Sequence, residues 1–172
     1  MAITFHSDGR VTGGTIKSSG NIIQTVQHNF TTGNFTTSSS SYVDITGFSK
    51  AITPLAASSK ILVILSSAIY ASPTTTWNGQ VGVSVNRSVA GGSYTAVASQ
   101  MPGSYIQETY TRYFHISCNI NFLDSPSYSL GNAITYKVQM KSGDSNITSG
   151  CMVSIGGVTN GANKLILLEV AG

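Results

Sequence analysis

Six carboxylates are available for acid–base chemistry: Asp8, Asp44, Glu108, Asp124, Asp144 and Glu169. Glycoside cleavage by a carboxylate pair needs two of them held about 5–10 Å apart across the scissile bond. Asp8, Asp124 and Asp144 stand beside Gly, Ser or Pro in turn-like stretches, where a carboxylate accepts backbone N–H groups instead. That leaves few candidates for such a pair, of which Asp44 and Glu108 remain possible. Ser and Thr are abundant, yet none lies in a G-x-S-x-G elbow. His6, His28 and His115 are widely spaced, with no H-x-H or H-E-x-x-H pattern to gather a metal ion. No catalytic residue, metal or cofactor is therefore expected, and the chain is read as a non-enzyme.

Recognition is better served than catalysis. Trp77, Tyr94, Tyr105, Tyr110 and Tyr113 crowd the middle of the chain among Asn and Gln, a composition that suits stacking on a glycan. Buried cores and subunit contacts also use such rings, and that plainer role is the favoured one. At the N-terminus, Ile3 to Phe5, the Asp8-Gly9 turn signal and Val11 to Ile16 form a candidate hairpin. A lone hairpin is marginal in water. Ile3, Phe5, Arg10, Val11 and Ile16 are thus candidates for anchoring to a neighbouring subunit or a docking surface.

Bulk composition points the same way. Only 9% of the 172 residues are charged, against the ~25% usual for soluble domains. Hydroxyls and 18 glycines must keep the surface wet. A hydroxyl surface is desolvated at lower cost than a charged one, which suits extensive subunit contact and equally a plain Ser/Thr-rich β-protein. The net charge of +3 comes from scattered bases, without the basic run expected of a nucleic-acid binder. No membrane span or signal peptide is expected, so the chain is read as soluble and made in the cytoplasm. Cys118 and Cys151 are expected to be free buried thiols rather than a disulfide framework.

These residues must be carried by strands. Ile22 to Phe30, Thr36 to Ile45, Phe48 to Thr53 and Lys60 to Tyr70 follow at short spacing, with Gly47 as a tight turn and Pro54 as a breaker. In Gln80 to Arg87, Val81, Val83 and Val85 should face inward and Gly82, Ser84 and Asn86 outward. Tyr94 to Ser99, Tyr110 to Leu123, Ala133 to Lys141, Cys151 to Ile155 and Lys164 to Val170 complete the set. Ile166, Leu168 and Val170 oppose Leu165, Leu167 and Glu169, so both faces of the last strand should be at least partly covered. No helical stripe and no fixed repeat appears. The predicted fold is all-β, an antiparallel two-sheet jelly-roll sandwich over 21–172 with a short N-terminal arm over 1–20.

The wording of several strands carries a resemblance. IIQTVQHNF (Ile22 to Phe30), SSSSYVDITGFSKAITP (Ser38 to Pro54) and SSKILVIL (Ser58 to Leu65) resemble a β-rich module of tailed-phage virion proteins, especially marine phages and cyanophages. FLDSP, YKVQMKSG and LLEV resemble its later landmarks, so the likeness spans nearly all of Asn21 to Gly172. The resemblance implies a trimeric jelly roll without catalytic residues, placed in tail fibres, head fibres or capsid decoration proteins. The expected partners are further copies of the chain and the major capsid protein or other virion proteins; host surface glycan is an alternative. Nucleic acid and membrane are not expected partners. The expected location is the virion, assembled in the host cytoplasm. The short arm favours a compact decoration (cement) protein over a long fibre.

Overall fold

The computed structural model describes residues 4–5, 11–12, 19–31, 35–71, 77–101, 103–106, 114–142, 151–153 and 163–172, with backbone alone in the short or terminal strand segments. Every regular element among them is a strand. In chain order these are β1 (Thr4–Phe5), β2 (Val11–Thr12), β3 (Ile22–Asn29), β4 (Phe35–Thr37), β5 (Val43–Ile52), β6 (Lys60–Ala71) and β7 (Trp77–Val89). There follow β8 (Thr95–Gln100), β9 (Gly103–Ile106), β10 (Phe114–Asp124), β11 (Ile134–Ser142), β12 (Cys151–Val153) and β13 (Lys164–Val170).

Eight of these strands make two antiparallel sheets, ordered β10-β6-β13-β3 and β5-β11-β7-β8. The pairs are nested: β7 with β8, β6 with β10, β5 with β11, and β3 with β13. The chain is thus one long hairpin rolled over, so that successive pairs fall alternately into the two sheets. That strand order is a jelly roll. At the tip, Ala90 (φ 50°) and Gly91 (φ 74°) both take left-handed dihedrals, and the Gly92 N–H donates to Val89 O at 2.9 Å. Positive φ at both central residues is the turn whose twist matches a tight hairpin.

Burial explains the strand assignments. In β11, residues 134, 136, 138 and 140 are buried while 135, 137, 139 and 141 are half-exposed, a strict period of two. The inner faces meet in one core: Ile61, Val63 and Leu65 of β6 and Leu165 and Leu167 of β13 belong to it with Val81, Val83 and Val85 of β7 and Phe48 of β5. The Phe30 and Phe48 rings lie 5.1 Å apart. Cys118 is buried there as a free thiol, pushed up to about 11 by desolvation.

Three details depart from expectation. Gly47 does not turn the chain between two strands. It lies inside β5 at φ 82°, where the register with β11 slips between Lys137 and Gln139. A glycine in the left-handed region accommodates extra residues as a bulge, and both Ile45 and Phe48 still reach the core. Asp124 closes β10 as its last residue instead of accepting turn amides. β9, which pairs the start of β7, had no clear signal in the sequence, and the expected strand Thr36 to Ile45 divides into β4, which pairs β12, and the start of β5. Pro54 does end the preceding run, since β5 stops at Ile52.

Candidate interaction surfaces

A buried polar clamp ties the two sheets together at one end. The Arg87 guanidinium on β7 donates from Nη1 to both Asp124 oxygens, at 2.6 and 2.8 Å. The Tyr136 hydroxyl on β11 donates to Asp124 Oδ2 at 2.7 Å. Burial, reinforced by the neighbouring carboxylate, holds the Tyr136 phenol neutral well above the usual range. A second clamp fixes the Pro54 loop. Glu169 is fully buried, and both its oxygens accept the Leu55 N–H at 2.9 Å while Oε1 also accepts the Ala56 N–H at 3.0 Å. The Tyr128 hydroxyl donates to Ala56 O at 2.7 Å from the other side. Both clamps are satisfied within the chain, so they serve architecture.

The outer face of β5-β11-β7-β8 is polar and closed on itself. Ser84 and Asn86 point away from the core, as expected, yet they are only 1% and 6% exposed. Longer side chains from the flanking strands lie over them. Asn86 Nδ2 donates to Gln139 Oε1 at 2.8 Å, and Gln139 Nε2 donates to Asp44 Oδ1 at 2.6 Å. Lys137 Nζ completes the chain at 2.8 and 2.9 Å from the two Asp44 oxygens. Its hydrogen bond, more than its charge, draws the Asp44 carboxyl below the usual range. The same Nζ sits 3.9 Å from the centre of the Tyr94 ring, a cation–π contact.

Tyr42 covers the other end of that face. Lys141 Nζ lies 5.0 Å from the Tyr42 ring centre, and a hydrogen bond links Tyr42 to Ser99. Desolvation nevertheless raises the Tyr42 phenol. Gly82 makes this crossing fit: a Cβ there would stand 2.6 Å from Lys141 Cγ and 3.1 Å from the Tyr42 hydroxyl. The Tyr42 and Asp44 of the Y-x-D-I-T-G stretch are therefore the straps of a polar network. No sequence signal gave their partners, of which Lys137, Gln139 and Lys141 lie more than ninety residues further along the chain.

The outer face of β10-β6-β13-β3 has the opposite character. Cross-strand register builds it in rows. One row runs Lys60, Val170, Ile22; the next Leu123, Leu62, Leu168, Thr25; the next Asn121, Ile64, Ile166, Gln27. Seven aliphatic side chains thus adjoin, with Leu123 50% and Ile22 56% exposed at its two edges. The strictly alternating burial of β13 shows Ile166, Leu168 and Val170 half-exposed opposite the buried Leu165 and Leu167. The charged residues on these rows and the row beyond are Lys60, in the first row, and Lys164, opposite Ser66 in the middle of β6. Strands that read as continuous apolar runs usually have both faces covered.

Among the described aromatic candidates, Trp77 and Tyr105 share one ladder and Tyr94 stands apart from it. Trp77 opens β7 opposite Ile106, and Tyr105 of β9 lies opposite Asn78. Tyr94 precedes β8, whose Thr95 pairs Arg87, ten residues further along β7 and about 33 Å away at ordinary strand rise. Tyr110 and Tyr113 lie outside the described residues, as do Ile3, Arg10 and Ile16 of the arm and Glu108, Asp8 and Asp144 among the acids. Phe5 and Val11 are register partners in the β1–β2 ladder. Among the described residues no group of three metal-ligating side chains comes together, and no helix is long and apolar enough to cross a membrane.

No protein-family model and no curated protein sequence matches the chain. Among solved structures it is similar to the Eiger TNF of S. frugiperda, with 11% identity, 88% of this chain and 94% of that one covered, and a TM-score of 0.46. It is also similar to a chain of the infectious bursal disease virus Gx strain, with 16% identity, 100% of this chain and 42% of that one covered, and a TM-score of 0.38. The chain therefore spans less than half the length of the viral one. The jelly-roll assignment rests on the strand order itself.

Proposed function

We propose that this chain is a virion structural protein of a tailed phage, a homotrimeric capsid decoration protein that braces the head shell. One observation carries the reading: a small jelly roll closes one outer face with its own hydrogen bonds and leaves the other with an aliphatic, uncharged centre. A domain with that surface is suited to life inside an assembly. The resemblance of Ile22 to Phe30, Ser38 to Pro54 and Ser58 to Leu65 to phage virion modules supports the particle as that assembly. In this reading Ile3, Phe5, Arg10, Val11 and Ile16 anchor the arm to the major capsid protein. Many weak contacts repeated by symmetry then add up to a stable shell.

Co-sedimentation with purified phage heads tests it. Saturable binding to mature heads, with a copy number set by the lattice, is the expected result. Failure to bind any head form, together with label at the tail of intact particles, contradicts it. A fibre module binding host glycan would instead show up on a glycan array, with binding lost in Trp77→Ala or Tyr105→Ala.

A further inference from the structure

We infer that the outer face of β10-β6-β13-β3 is where copies of this chain meet, turned inward around their common axis. The inference rests on the reading of the chain as a self-assembling structural protein, and it does not depend on which particle the assembly coats. The argument begins with symmetry. Any group close to a rotation axis faces its own copy, so a charge placed there faces a like charge. The other outer face carries Lys137 and Lys141 on its inner strand β11, with Asp44 beside them on the edge strand β5. The β10-β6-β13-β3 face presents Leu62, Ile64, Ile166, Leu168 and Val170 there, with Lys60 in its first row and Lys164 opposite Ser66, one row beyond Ile166. Of the two faces, this one has a centre, the rows of Leu62 and Ile64, that can approach its copy without setting like charge against like charge.

Size and chemistry agree. Three rows across three strands cover on the order of 300 Å², within the range of functional apolar patches. A stable interface buries about 800 Å² per partner, with an apolar centre and a polar rim. The rim is present: Thr25, Gln27 and Asn29 on β3, and Asn119 and Asn121 on β10. These amides and hydroxyls can pair across a contact and are desolvated at modest cost. A second copy supplies both a matching aliphatic centre and a matching rim. A charged partner would find nothing on this centre to pair with.

Sedimentation velocity on the wild-type chain and on two single variants, Leu168→Lys and Ile64→Lys, decides the matter. Both sites are half-exposed in the protomer, so the fold should survive, and circular dichroism checks that it does. The expected result is a wild-type multimer and variants that sediment as monomer, with association weakened about 100-fold or more. Lys141→Leu, on the other face, should keep the multimer. Should a variant fail to fold, Leu123→Cys gives an independent reading: a short bismaleimide should link copies well beyond the wild-type background.

The remaining outcomes overturn the inference in distinguishable ways. A wild-type multimer that both lysine variants retain places the contact elsewhere and leaves self-assembly standing. A wild-type monomer that binds heads through this face, losing binding in the variants, makes the shell the occupant and leaves the decoration reading standing. A monomer that binds no head removes both.

Discussion

The two outer faces of this sandwich are built from strands of similar length and the same pleat, yet they solve opposite problems. On β5-β11-β7-β8 the small residues Gly82, Ser84 and Asn86 form a trough that Tyr42, Gln139 and the two lysines fill. Its polar groups find partners inside the chain. On β10-β6-β13-β3 the matching positions are Leu, Ile and Val, standing half-exposed. A face that satisfies itself has no need of a partner, whereas an aliphatic face gains ~25 cal/mol for each Å² it removes from water. Burial of Ser84 and exposure of Leu123 invert the usual distribution of polar and apolar groups. In the proposed assembly the polar face is the one that meets solvent.

Four perturbations break or sharpen that contrast. The largest acts on the clamp that joins the sheets. Asp124→Ala strips the partner from Arg87 and the acceptor from Tyr136, and should cost about 2–3 kcal/mol in urea unfolding. An unchanged midpoint would mean that the sheets are held without it. Next, Gly82→Ala pushes a methyl into Lys141 and Tyr42 and should cost about 1–2 kcal/mol, with altered tyrosine fluorescence. The same substitution would be harmless if the trough were open.

The third perturbation is pH. The Asp44 carboxyl is lowered in the folded chain, so its contribution is present above the unfolded carboxylate value and is lost as pH falls through the lowered one. The Tyr42 phenol is raised, so its contribution is present below the unfolded tyrosine value and declines as pH climbs past it. Asp44→Asn should flatten the acid limb of a stability–pH profile and Tyr42→Phe the alkaline limb. Because Asp44 is exposed, its effect should stay below about 1 kcal/mol. Substitutions at Leu62, Ile64, Ile166 and Leu168 should leave both limbs alone. The smallest effect is Leu168→Thr: about 0.5–1 kcal/mol on the isolated protomer, since the side chain is already half in water. A much larger cost in dilute protein would mean that this face is packed within the protomer.

Much of this architecture was legible in the residues. The period of two in Ile134 to Lys141, the breaker at Pro54 and the unbroken run of Lys60 to Leu65 each report a local preference that the fold obeys. The double-sided apolar character of Leu165 to Val170 was legible too. What stayed hidden depends on distant partners. Gly47 carries the same letter in a turn and in a bulge, and only the pairing of both Asp44 and Ser49 with β11 separates the two. Ser84 and Asn86 alternate like solvent-facing residues, because a strand's own sequence does not record what its neighbours lay over it. Glu169 gave a faint signal as a lone acid in an apolar run, but its ligands are the amides of Leu55 and Ala56, more than a hundred residues earlier. Among the described rings, the length of β7 separates Tyr94 from Trp77 and Tyr105.

Hydroxyl-radical footprinting across a dilution series, followed residue by residue by mass spectrometry, tests the contrast between the faces most directly. The account predicts that Leu62, Ile64, Ile166 and Leu168 lose reactivity together as concentration rises, while Tyr94 on the polar face keeps its own. Equal protection of both faces, or aliphatic reactivity that is constant from dilute to concentrated protein, would contradict it.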